Sequence, residues 1–351
     1  MKQTDVLIIG AGLTGLTLAY LLRNTDSEVV VVEARNRLGG RIHTVGGDDQ
    51  NTIEMGATWL GPAHTKLKEL LDALNIDVFE QRLGDKAIYE PSSMGPHQLV
   101  TLPSNQESSY RIRGGTMKVI HSLTSYLSDG QLYLNEPIQK IHQEDQGLRV
   151  TSRNMEFKAK QVVSTLPPKL LAESIQTEPS LPDELTSIMQ QTHTWMGESI
   201  KFGFSFPQPF WLDESLSGTV FSNVGPVPEM YDHTNFEGDQ FALKGFLNGS
   251  YFSVSREERK TMILNQLHKY YGSQADSYKK YYELVWTNEP FTYHPYDQHV
   301  LPHQNNGHKV YQNSVFGGKF HVAGAETSPA SSGYMDGAVR SAFMTFERLK
   351  G

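Results

Sequence analysis

Gly10, Gly12 and Gly15 stand in a Gly-x-Gly-x-x-Gly frame directly behind the apolar run Val6-Leu7-Ile8-Ile9, and an acid, Glu33, closes the next apolar run, residues 29–32. Glycines at this spacing let the chain turn tightly out of a buried strand, let backbone approach a pyrophosphate, and let the following helix pack close to the sheet. The helix N-terminus then offers free N–H groups and the positive end of its dipole to the phosphates. Glu33, at the carboxyl end of the second strand, is placed to accept hydrogen bonds from an adenosine ribose. The order strand, glycine turn, helix, strand, acid predicts a dinucleotide site. A glycine pair in Leu38-Gly39-Gly40-Arg41 follows Arg35 and Arg37. It reads either as a backbone cradle for a phosphate or ring, with Arg41 neutralising charge, or as a plain turn.

Hydrophobic periodicity supplies the elements that must position these groups. Residues 16–23 carry Leu18, Leu21 and Leu22 with no proline or glycine, which predicts a helix, and the β-branched run 29–32 predicts a strand buried on both faces. Further helical stripes pass through Leu67, Leu70, Leu71 and Leu74, and through Ile120, Leu123 and Leu127. Strands are expected at 131–134 and 147–151, and a third, 161–166, stops at Pro167-Pro168 with its carboxyl end near the cofactor. Residues 83–109 are rich in glycine, proline and serine and read as a linker or small excursion. Strand-like pieces at 200–206, 218–221 and 241–247 predict the antiparallel sheet of a second domain. A helix over 255–270, a strand at 320–323 and a helix over 334–350 complete the chain.

Composition bounds the chemistry. A chain of 351 residues is long enough for about two domains and a cleft between them. Its net charge of −8 carries no electrostatic footprint for nucleic acid. There is no cysteine, which excludes disulfides, cysteine nucleophiles, thiolate metal sites and a cysteine-linked cofactor. The chain enters its first strand almost at once and contains no run of ~18 apolar residues, so neither a secretory leader nor a membrane anchor is expected, and the expected compartment is the cytoplasm.

Taken in chain order, Gly10 to Gly15 with Glu33, Leu38 to Arg41, Gly56-Ala57-Thr58-Trp59 with Gly61-Pro62, Gly114-Gly115, Val162 to Pro168, and Gly324-Ala325-Glu326-Thr327 with Ser332-Gly333-Tyr334-Met335-Asp336-Gly337-Ala338 resemble the flavin-containing amine oxidases, the monoamine and polyamine oxidase group. The terminal block is the most specific part. The resemblance implies an α/β fold: a Rossmann-type FAD-binding domain (residues 1–80, 111–190 and 290–351) interleaved with a smaller α+β substrate domain (81–110 and 191–289) carrying the antiparallel sheet.

The same resemblance assigns roles. The cofactor site takes in Gly10, Gly12, Gly15, Glu33, Ala34, Arg35, Gly39, Gly40, Arg41 and the segment Gly56, Ala57, Thr58, Trp59. Ile138 matches the position whose backbone pairs with adenine, Gly324 and Glu326 would line the ribityl chain, and the Met335 amide would face the flavin pyrimidine edge. Tyr334 falls on one wall of the family's aromatic cage, and counting from Trp286 the other wall falls on Tyr296. Lys201 matches the lysine that holds a water against flavin N5. Opposed electron-rich rings would hold an amine by its lone pair or charge.

Two departures from the family pattern stand out. The position of the cysteine that tethers flavin in monoamine oxidases is Pro295, so FAD is expected to be held non-covalently. The long helical segment that covers the substrate cavity in the animal enzymes is reduced to residues 83–109, which predicts a more open pocket or one completed by a second copy of the chain. The implied reaction is oxidation of a primary or secondary amine to an imine, then aldehyde or ketone, with oxygen reduced to hydrogen peroxide. Alternatives are an L-amino-acid oxidase, using Arg82, Arg111 or Arg113 for the carboxylate, another flavin desaturase or oxidase of the superfamily, and an FAD-binding protein with little turnover that acts through partner contacts.

Overall fold

Val6, Leu7, Ile8 and Ile9 are all buried, and a strand with no polar face needs cover on both sides. In the computed structural model, which describes residues 1–47, 50–105, 107–213 and 215–350, that strand, Lys2–Ile9, runs inside an eight-stranded sheet. Val29–Val32 lies parallel on one side, with Ile9 opposite Val32, and Leu132–Tyr133 continues beyond it. On the other side lies Glu156–Ser164, whose two halves pair differently. Its second half carries Phe320–Val322 in parallel; its first half carries Gly147–Ser152 antiparallel, followed by Ile138–Glu144 and Gln176–Glu178. Helices Leu13–Leu22, Met117–Thr124 and Met335–Lys350 cover one face through Leu16, Ile120 and Val339. Helices Pro168–Ser174 and Asp183–Gln190 cover the other through Leu171, Leu185 and Met189.

A second sheet of seven strands runs in the order Lys280–Val285, Ile200–Phe206, Phe241–Leu247, Glu229–Asp232, Val220–Ser222, Lys86–Glu90, Gln98–Thr101. Its pairs are antiparallel except Val220–Ser222 with Lys86–Glu90. Side chains alternate along a strand, so Phe202, Phe204 and Phe206 go to one face, where Ile263 and Leu267 of the helix Arg256–Tyr271 meet them. Lys201 and Gly203 go to the other face, toward Gly56 and Ile53. A Cβ on Gly203 would lie 2.7 Å from Ile53 Cγ2, so the bare backbone there is what lets the strand Gln50–Glu54 close against the second sheet.

Of the two readings that composition leaves for 83–109, linker or small excursion, the structure shows the excursion. Lys86–Glu90 and Gln98–Thr101 form a hairpin that extends the second sheet, with Ala87 and Ile88 buried. Its apolar run is short, and the partner that makes it a strand, Val220–Ser222, lies far along the chain. Among the described residues no helix is long and apolar enough to cross a membrane.

Candidate active site

An elongated cavity of about 720 Å³ begins at the carboxyl ends of Lys2–Ile9 and Val29–Val32 and reaches the inner face of the second sheet. At its nucleotide end the turn after the first strand works as its glycines predict: a Cβ on Gly15 would lie 2.0 Å from the Gly10 carbonyl oxygen, so only glycine admits this close approach. Gly10 and Gly12 line the cavity while Gly15 packs behind them. The helix Leu13–Leu22 starts at Gly12 with no side-chain cap, leaving first-turn N–H groups for a ligand. Glu33 is buried; its Oε2 accepts from Ala11 N at 2.9 Å and its Oε1 from Arg35 N at 3.0 Å, which holds the carboxylate at the cavity wall. Ala34 and Arg35 line the same end, and so does Ile138, where a register shift between Ile138 and Lys140 interrupts the strand ladder.

In the middle, Gly39, Gly40 and Arg41 line the wall. The glycine turn is pinned to the first one by a bridge between Gly12 and Gly39, which favours the cradle reading over the plain turn. The guanidinium of Arg41 donates to the fully buried Glu326 carboxylate through both terminal nitrogens, Nη2 to Oε2 at 2.7 Å. Glu326 and Gly324 themselves lie behind the wall, Gly324 N donating to Ser341 Oγ at 2.9 Å. Met335, the first residue of the last helix, lines the cavity; Asp336 beside it is anchored by Leu67 N, which donates to its Oδ1 at 2.9 Å.

At the far end the segment Gly56, Ala57, Thr58 and Trp59 forms one side and the second sheet the other. Lys201 is buried here, its Nζ donating to the Gly56 carbonyl at 2.7 Å and lying 5.2 Å from the Phe246 ring centre. Burial pulls its pKa down to about 8, against the opposing influence of Glu54 and Glu229. Tyr334 lines the mouth and is 40% exposed, consistent with the open pocket expected from the short cap.

The structure does not bring Tyr296 against Tyr334. The Tyr296 hydroxyl donates to the Thr192 carbonyl at 2.9 Å and accepts from Thr194 N at 2.8 Å, its ring neighbour is Tyr293, and it lies off the cavity wall. Two hydrogen bonds to one loop outweigh the position that spacing from Trp286 assigns. The rings beside Tyr334 on the cavity wall are instead Trp195 and His64, each with its centroid 5.7 Å from that of Tyr334, and His303 stacks on both Trp195 and Tyr334.

Three lining residues, Trp195, Glu229 and Phe246, are marked as site residues by no motif, and a fourth, Trp286, enters only as the landmark for Tyr296. Trp286 Nε1 donates to the Met55 carbonyl at 2.9 Å and so fixes the strand that leads into Gly56. Glu229 is half-buried, its Oε2 accepting from the Tyr231 hydroxyl at 2.8 Å. Alternation along 229–232 is the one feature that marks it, and a preceding proline hides the strand. Arg82, Arg111 and Arg113, the candidate carboxylate binders, do not line the cavity. Arg111 is buried beneath the Phe79 ring, and Arg113 pairs with Glu237 at the surface.

An uncapped helix end, a buried acid placed to accept from a ribose, an arginine at the centre and a glycine-bared wall fit an FAD held along the cavity. Comparisons agree. The family model described as flavin containing amine oxidoreductase matches residues 13–92 and 90–345. The chain is 24% identical to a probable flavin-containing monoamine oxidase A of Dictyostelium discoideum over 99% of this chain and 97% of that protein. It is 25% identical to a putrescine oxidase of Kocuria rosea over 83% of each. A solved structure of putrescine oxidase bound to putrescine superimposes with a TM-score of 0.85 at 25% identity, covering 98% of both chains. The chain belongs to the flavin-containing amine oxidoreductase family: it is an oxidoreductase of amines with FAD as cofactor.

Proposed function

We propose that the chain oxidises an amine that carries a second cationic nitrogen, with Lys201, Trp195, Tyr334 and Glu229 as the residues that meet it. When bound, without a covalent link, FAD would supply the acceptor for a hydride equivalent from the carbon next to nitrogen, with dioxygen as the final oxidant, so that the amine becomes an imine that water hydrolyses. The Trp195 and Tyr334 rings offer electron-rich faces to the reacting nitrogen. Lys201, tied to the Gly56 carbonyl, keeps its remaining N–H bonds for a water or substrate in the cavity. The reaction takes the amine in its neutral form and then requires no side-chain general base.

Charge at the far end carries the substrate reading. Glu229 is the one carboxylate among the described residues on the cavity wall there, the others, Glu33 and Glu136, standing at the nucleotide end, and among the described residues it has no ion pair within 4.0 Å. It shares a row across the sheet with Phe246 and Lys201, because Phe246 pairs with both. Two strand spacings separate Glu229 from Lys201, about 10 Å between backbones, which suits a short diamine spanning the row. An amino acid is disfavoured because its carboxylate would meet Glu229 with no arginine to balance it. That a similar structure holds putrescine, a diamine, supports the same reading. The test is peroxide release from the FAD-loaded protein with diamines, monoamines and L-amino acids. Turnover with diamines above monoamines is expected; preference for an L-amino acid overturns the substrate assignment.

A further inference from the structure

Lys201 has a second lysine beside it that the reaction as described does not use. Lys244 lies on the neighbouring strand, one diagonal step from Lys201, since Lys201 pairs with Phe246 and Gly203 with Lys244. Its side chain has no exposed surface. A buried lysine is costly unless partners hold it, and this one has two: its Nζ donates to Thr58 Oγ1 and lies 4.4 Å from the Trp59 ring centre. Thr58 Oγ1 donates onward to the Gly56 carbonyl at 3.1 Å, the same oxygen that receives Lys201 Nζ at 2.7 Å. A continuous hydrogen-bonded chain therefore links the two lysines. Because Lys244 donates to it, the Thr58 hydroxyl has its one proton left for Gly56, so the acceptor of Lys201 is set from the Lys244 end.

The charges around this chain are few. Glu54 is buried on Gln50–Glu54, its carboxylate accepting from Thr116 N at 2.7 Å and Thr44 Oγ1 at 2.9 Å, and it acts on both lysines. From Glu229–Asp232 come Glu229 and Asp232; His233 follows, its Nε2 accepting from Glu54 N at 3.2 Å, and burial keeps it neutral. Arg111, against the Phe79 ring, is a third cation that feels Glu54, and burial together with Lys201 and Arg111 holds the Lys244 amine well below the ordinary lysine value. Two amines and a guanidinium thus lie in the field of one buried carboxylate.

We propose that Lys244 is a positioning residue for Lys201: through Thr58 it fixes the Gly56 carbonyl that Lys201 holds, and by competing for Glu54 it leaves the Lys201 amine free to release its proton. Without Lys244, one competing cation fewer lies near Glu54 and Lys201, and Lys201 keeps its proton to higher pH. This rests on the placement of Lys201 beside the flavin.

The test is a pH titration of the visible flavin band in the resting FAD-loaded protein, with no substrate. Lys201→Met should abolish an inflection that the wild type shows. Lys244→Met should move that inflection upward by about one unit. Lys244→Gln, which keeps a donor for Thr58 but no charge, should move it in the same direction, and it decides the matter if Lys244→Met does not fold. A merely structural lysine would lower stability and leave the inflection in place. An inflection that survives in Lys201→Met overturns the placement of Lys201 and the inference with it. An inflection lost in Lys201→Met but unmoved in both Lys244 variants overturns the inference alone.

Discussion

Arg41 and Glu326 meet in a two-pronged ion pair, Nη1 to Oε1 at 2.5 Å and Nη2 to Oε2 at 2.7 Å, that ties the second glycine turn to the segment before the last helix. Residues from the two ends of the chain thereby hold one wall of the cofactor cavity. The pair is asymmetric: Glu326 has no exposed surface, whereas the Arg41 side chain is 24% exposed and faces the cavity. Arg41→Ala strands a buried carboxylate and should cost about 3–5 kcal/mol. Glu326→Ala leaves a cation that reaches solvent and should cost less. Urea unfolding of both variants, with and without added FAD, checks the order.

Trp195, not Tyr296, shares the cavity wall with Tyr334. Trp195→Ala should slow flavin reduction by amine and weaken amine binding, each about tenfold, as expected when one aromatic wall that orients the reacting nitrogen is lost. Tyr296→Phe removes hydrogen bonds to Thr192 and Thr194 and should lower stability by about 1–2 kcal/mol with little change in reduction rate. Rapid-mixing reduction without oxygen distinguishes them. A larger kinetic effect from Tyr296→Phe would restore the paired-tyrosine arrangement.

Much of the frame is legible in the amino-acid sequence. Strands Ile200–Phe206 and Phe241–Leu247 carry aromatic and apolar runs long enough to be found with their ends in place, and the glycine turn with Glu33 locates the nucleotide end. What stays hidden depends on distant partners. Lys86–Glu90 becomes a strand only beside Val220–Ser222, and Tyr296 is held away from Tyr334 by a loop a hundred residues earlier. Glu229 belongs to no motif; it matters because Phe246 pairs with it on one side and with Lys201 on the other.

The Lys201 pKa of about 8, below the ordinary 10.5, fixes the sign of a stability effect. Between these values the unfolded chain binds the proton more tightly than the folded one, so the lysine's penalty on folding is complete below about pH 8 and vanishes above pH 10.5. Lys201→Met should therefore gain stability relative to wild type at pH 7, by at most about 3 kcal/mol, and lose that gain as pH rises through this window. Denaturant unfolding at pH 7, 9 and about 10.5 reads the difference. A difference independent of pH would show that Lys201 ionises as freely folded as unfolded.

Glu229→Gln should weaken binding of a diamine by about 10–100-fold, the loss of a charge-assisted hydrogen bond, while a monoamine of equal chain length binds as before. Affinities from flavin spectral shifts test it. Equal losses for both amines would mean that Glu229 shapes the pocket rather than reading a second charge.

The central claim, that this cavity oxidises an amine through bound FAD, is tested most directly by mixing the FAD-loaded protein with a short diamine in the absence of oxygen and following the flavin band. The account predicts that the yellow colour bleaches and returns on admitting air, with hydrogen peroxide released. A flavin that stays oxidised with diamines, polyamines and monoamines alike would contradict it.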